Sequence, residues 1–148
     1  MKLVLVLVSL IMLAGCTVTP YKELNLDTTS NFKNPEQGKA GVYAYQWKRG
    51  VIGALLDVGF KIKGLPEVSL NTGEYIYYEL EPGNYDYLLS GGLFDQYIPV
   101  TFEAGQNYFF RAFLLNLSDH AVLIRDQGEI EEAKVNILSG RYEHHSVD

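Results

Sequence analysis

This chain of 148 residues has no second cysteine; Cys16 is its only thiol. An intramolecular disulfide is therefore excluded, and so is any site built from several thiolates, so packing must stabilise the fold. Basic residues are in short supply, with 12 Lys and Arg against 18 Asp and Glu and a net charge of -6. That balance argues against nucleic acid, which needs a basic footprint, and against adhesion to anionic lipid through basic side chains. No apolar run reaches the roughly 20 residues that a membrane-spanning helix needs. Also missing are a serine in a nucleophile-elbow motif and a glycine loop followed by lysine. Gly91-Gly92 has neither that lysine nor a strand-to-helix context, and it reads as a flexible turn. There is no internal repeat at solenoid or propeller period.

What is present begins at the amino end. Lys2 supplies a short positive segment, residues 3–12 are apolar, and Leu13-Ala14-Gly15-Cys16 follows directly. This is the pattern of a bacterial lipoprotein signal in residues 1–15, with cleavage before Cys16 and lipid attached to that cysteine. One acyl chain binds a bilayer only marginally and two or more hold it, so lipidation of Cys16 replaces a membrane helix. Thr17 stands after the cysteine where aspartate would favour inner-membrane retention, which points to the outer membrane. The expected location is the cell envelope, facing the periplasm. Cleavage would leave 133 residues at a net charge of -7, within the range of one domain.

Residues 16–37 are polar and broken by Thr28-Thr29-Ser30-Asn31 and Asn34-Pro35, so they read as a tether. From Lys39 onward the texture changes to short alternating runs between turn residues. Tyr43, Tyr45 and Trp47 alternate with Val42 and Ala44. Val58, Phe60 and Ile62 share a face, as do Ile98, Val100 and Phe102. Residues 108–115 are apolar on both faces apart from Arg111, which predicts a central buried strand. Glu81-Pro82-Gly83-Asn84 suits a type II turn, so residues 84–89 are expected to return as the hairpin partner of 74–80. Residues 129–134 predict a short helix, which Val135 and Ile137 either continue or leave for an edge strand. Residues 141–148 read as a frayed polar tail.

The expected fold is all-β and mainly antiparallel: a compact β-sandwich or half-open barrel over residues 38–140, with one short C-terminal helix. Gly41-Val42-Tyr43-Ala44-Tyr45, Gly73-Glu74-Tyr75, Glu81-Pro82-Gly83-Asn84-Tyr85 and Ala104-Gly105-Gln106-Asn107-Tyr108-Phe109 occur in that order. In this the chain resembles the small bacterial lipoproteins of the DUF2846 family over about residues 39–138. One departure is Lys63-Gly64-Leu65-Pro66, where that family commonly has an Asp-Gly-Lys turn. The resemblance implies a β-sandwich-like fold and an envelope location. It implies no activity, cofactor or set of site residues.

Candidate chemistry is sparse. His120, His144 and His145 do not suggest a metal site: the last two adjoin near a chain end, and zinc needs three or four converging ligands. Asp119-His120 invites a hydrolase reading, yet sequence neighbours seldom form an acid–base pair, and Ser118 and Asp119 read better as a turn. Glu131-Glu132 reads as solvated charge on a helix. Aromatic residues are the exception, with 11 Tyr, 7 Phe and 1 Trp. Tyr43, Tyr45 and Trp47, then Tyr75 and Tyr77, then Tyr85 and Tyr87 share strand faces. They form the candidate interaction face, for a glycan, a small ligand or an envelope protein. The competing reading is that these tyrosines close the rim of a core. The apolar residues 50–56 are either a core-capping loop or a contact patch. The functional expectation is a non-catalytic structural or accessory module without a cofactor. A glycan- or ligand-binding module is the alternative, and an envelope hydrolase the remote one.

Overall fold

A computed structural model describes residues 32, 34–47, 56–71, 74–91, 93–138 and 143–144. The leader, Cys16, most of the tether, residues 50–55 and His145 lie outside the described residues.

Among the described residues there are nine strands and one helix: β1 (Ala40–Gln46), β2 (Val58–Phe60), β3 (Val68–Leu70), β4 (Glu74–Leu80), β5 (Gly83–Ser90), β6 (Gln96–Phe102), β7 (Asn107–Leu115), β8 (Ser118–Ile124), α1 (Gln127–Leu138) and β9 (Glu143–His144). The larger sheet has the order β6-β5-β8-β7-β1-β4-β9, and β2 and β3 form a separate hairpin. All pairs are antiparallel except β1 with β7 and β4 with β9.

β5 is joined to β8 through one pair, Ser90 with His120. Further back it turns to the β2–β3 hairpin. There Ile62 bridges Tyr87, Lys63 N donates to Asp86 O at 2.8 Å, and Leu88 N donates to Lys61 O at 2.9 Å. Two layers result, β8-β7-β1-β4 and β3-β2-β5-β6, pinned at the Ser90 corner and not closed into a barrel. The expected β-sandwich with one C-terminal helix is the observed fold.

The period of two along each strand decides what each face carries. Val42, Ala44, Ile76, Tyr78, Phe110 and Ala112 point between the layers, where they meet Val58, Phe60, Leu70, Tyr87 and Phe102. Tyr43, Tyr45, Tyr75, Tyr77 and Phe109 point the other way, into a second core closed by Ala133 and Ile137 of α1. α1 begins at an N-cap: Asp126 Oδ1 accepts from Glu129 N at 3.1 Å.

Several local expectations change. β4 and β5 are not a hairpin: β4 pairs with β1, with Tyr43 opposite Tyr77, and β5 pairs with β6 in the other layer. Residues 81–82 instead carry the chain between layers. Gly83 is already strand, paired with Phe102, and is not among the glycines of positive φ. A reverse turn with a glycine at positive φ does form at residues 62–65: Leu65 N donates to Ile62 O at 3.0 Å and Gly64 has φ 89°. The helix runs through Val135 and Ile137 to Leu138, longer than residues 129–134. Within the expected frayed tail, residues 143–144 pair with β4. Ser118 and Asp119 open β8, and the turn before them is Asn116-Leu117.

Candidate functional site

The seven aromatic residues singled out in the sequence do not form one exposed face. Tyr43 and Tyr45 are completely buried, and Tyr75 and Tyr77 nearly so, beneath α1. Tyr43 stacks on Phe109 with ring centroids 5.0 Å apart, and Tyr77 lies 4.5 Å from it on the other side. Burial pushes the Tyr43 and Tyr77 hydroxyls far above the ordinary tyrosine range, and Tyr77 additionally donates to Glu79 Oε1 at 2.8 Å. Trp47 is half-buried at the end of this row, with the Arg111 guanidinium 4.8 Å from its ring. Tyr85 and Tyr87 belong to the other core, packed on Phe102 and Phe110. Rings covered on both faces cannot stack on a sugar. Alternation in β1 revealed two faces, but the cover over the tyrosine face comes from a helix about eighty residues further on.

Asp119 and His120 diverge for the same reason of alternation. His120 stacks on Phe113, with centroids 5.7 Å apart and planes 14° from parallel. Asp119 points to the opposite face, where a Cβ on Gly59 would come within 2.8 Å of its Oδ2 and 2.9 Å of Glu67 Oε1. Only a glycine allows both carboxylates to crowd that point of β2. Desolvation raises the Asp119 carboxyl above the ordinary range, against the opposing pull of the Gly59 N–H. The two residues therefore cannot act as an acid–base pair. Among the described residues no group of three or more His, Cys, Asp or Glu could hold a metal ion. Glu131 pairs with Lys134 at 2.8 Å on the exposed side of α1.

Two other regions have features suited to binding, and the sequence reading touched the first only at Leu56, the end of the candidate contact patch 50–56. The first is an apolar tip at the end of the sandwich where β5, β7 and β8 meet. Gly91 N donates to Asp119 O at 2.8 Å there, which brings the β5–β6 loop beside the β7–β8 turn. Leu93 is 97% exposed, Phe94 86% and Leu117 79%. Asn116 and Leu117 both have positive φ, 52° and 62°, which makes a two-residue turn of the type that normally takes Asn-Gly. A leucine at the glycine position is held in a left-handed backbone and pointed at water. That Asn-Leu pair between two strand patterns was the available sequence signal. Leu56 and Leu115 extend the patch, and Asp57, Asp95 and Asp119 lie around it.

The second region is a cleft of about 630 Å³ at the opposite end, where the layers part beyond the Ser90 corner. Val100 of β6, Tyr108 of β7, Leu123 and Ile124 of β8 and Ile130 of α1 make it apolar. Thr101, Asn107 and Arg125 stand at its polar lip. Asn107 also donates through Nδ2 to the carbonyl of Phe32 at 3.2 Å, so the chain arriving from the tether reaches the fold at this end. Eight residue steps along β7 put the tip roughly 26 Å away.

The profile of the family described as Protein of unknown function (DUF2846) matches residues 36–124. The match runs from just before β1 to the last residue of β8, leaving Arg125, α1 and β9 beyond it. No curated protein and no solved structure matches the chain. On the strength of the profile, the chain belongs to the DUF2846 family.

Proposed function

We propose that this protein is a lipid-anchored bacterial envelope lipoprotein and a non-catalytic interaction module that presents its apolar tip to a protein partner. The leader and Cys16 support the anchor. The tip carries the interaction reading: three large apolar side chains, 79–97% exposed, stand on two neighbouring loops. Single exposed leucines are common on any surface, but three large apolar side chains on adjoining loops, one of them on a strained turn, mark a contact. Its acidic surround selects a partner with an apolar socket and a basic rim. The tether reaches the domain at the far end of β7, so an anchored molecule holds its tip away from the tether's attachment.

Two measurements test this. Acyl labelling in cells should appear on the wild type and vanish with Cys16→Ser; label retained by that variant removes the anchor. Photo-crosslinking from positions 94 and 117 should give one discrete protein adduct. The same probe at Glu103, in the exposed turn before β7 at its opposite end, should give none. Equal adducts from all three positions, or none at the tip, removes the interface.

A further inference from the structure

We infer that the cleft between β6, β8 and α1 binds a single-chain amphiphile with one anionic head, of the fatty-acid class, with Arg125 pairing the head. The charge pattern points to the head group. Six Lys and Arg side chains are described, and five have ion-pair partners: Lys39 with Glu81, Lys61 with Glu67, Lys63 with Asp86, Arg111 with Glu129 and Lys134 with Glu131. Arg125 has none among the described residues, although acidic groups outnumber basic ones in the chain. It is exposed and stands on the cleft's lip. The other polar groups there are engaged: Thr101 Oγ1 donates to Asn84 Oδ1 at 2.8 Å and Asn107 Nδ2 to Phe32 O.

The cleft walls determine the rest of the ligand. Val100, Tyr108, Leu123, Ile124 and Ile130 offer no charge, so the body of the ligand must be apolar. The volume, about 630 Å³, falls in the range of small-molecule sites and suits one alkyl chain rather than the two chains of a phospholipid. The fold supplies the opening. β8 is bound to β5 only at Ser90–His120, and β6 is the last strand of its sheet, so nothing in the described structure draws these two strands together. The site is independent of the lipid on Cys16 and of the apolar tip, and its failure would leave the proposed function standing.

The test titrates purified protein with decanoate, decanol and decyltrimethylammonium below their micellar ranges, following the amide resonances of Tyr108, Leu123 and Arg125. Decanoate should bind saturably at one site, and decyltrimethylammonium should not bind there. Arg125→Gln should weaken decanoate about tenfold or more, as expected for loss of a charge-assisted pair, and leave decanol unchanged. Leu123→Trp, which fills the cleft, should weaken decanoate and decanol alike. If that variant does not fold, the Arg125→Gln arm decides alone, because this exposed side chain makes no ion pair among the described residues. Non-saturable decanoate binding, or equal affinity in Arg125→Gln, overturns the proposal. So does a protein that ignores decanoate yet binds phosphatidylglycerol vesicles through Arg125, since that identifies a bilayer headgroup as the ligand.

Discussion

The two faces of β1 are filled on opposite plans. Between the layers it contributes Ala40, Val42 and Ala44, all small, and the volume is made up by Phe60, Phe102, Phe110 and Tyr87 from other strands. Towards α1 it contributes Tyr43 and Tyr45, and the covering helix brings Ala133 and Ile137. Large side chains meet small ones in both cores, but the strand takes the small role in one and the large role in the other. An aromatic face on a strand is thus no sign of a binding surface until the opposite wall is known.

The sharpest way to break the comparison is to empty one side. Tyr43→Ala should cost about 3–5 kcal/mol, because a ring stacked on Phe109 and Tyr77 cannot be replaced by collapse, while Val42→Ala costs about 2 kcal/mol. Urea unfolding of both variants measures this, and equal losses would show that the helix-side core is loosely packed. Filling the other side is the next largest effect. Ala44→Leu should destabilise by about 1–3 kcal/mol, since the sandwich core already takes its bulk from the facing layer.

A finer contrast uses neighbouring hydroxyls on opposite faces of β4. Tyr77→Phe removes a hydrogen bond to Glu79 and should cost about 1 kcal/mol. The Tyr78 hydroxyl is buried without a hydrogen-bond partner among the described residues, so Tyr78→Phe should be neutral or stabilising. Denaturation midpoints of the two variants should move in different directions or by clearly different amounts.

The smallest effect is a pH dependence at Asp119. Desolvation raises its folded carboxyl above the unfolded value, so the folded state keeps a proton that the unfolded chain has released. The resulting contribution is complete below the ordinary carboxylate range and is lost as pH rises through the folded value. Midpoints measured from about pH 3 to 7 should show that loss in the wild type and not in Asp119→Asn. An unchanged profile in the variant would assign the dependence to other groups.

Residues 41–47 show how far sequence reading reached. Strict alternation sorted Tyr43 and Tyr45 from Val42 and Ala44 correctly, and residues 108–115, apolar on both faces, correctly marked β7 as central. Glu81-Pro82-Gly83-Asn84 misled, because a favourable turn sequence cannot reveal that β4 takes β1 as its partner and β5 takes β6. Leu93, Phe94 and Leu117 were passed over, since each is an ordinary loop residue until Gly91 pairs with Asp119 and brings the loops together. Arg125 gained its meaning only when the ion pairs of the other described cations were known.

Local order along the chain was enough to establish the strand faces, the all-β class and the family pattern. Each depends on side chains a few residues apart, where the pleat or a short motif dictates the geometry. Which strands pair, what covers the tyrosines and where the layers part belong to the folded molecule. Those outcomes depend on contacts between segments tens of residues apart, and many pairings satisfy the same alternation until hydrogen-bonding edges and buried volumes are matched together.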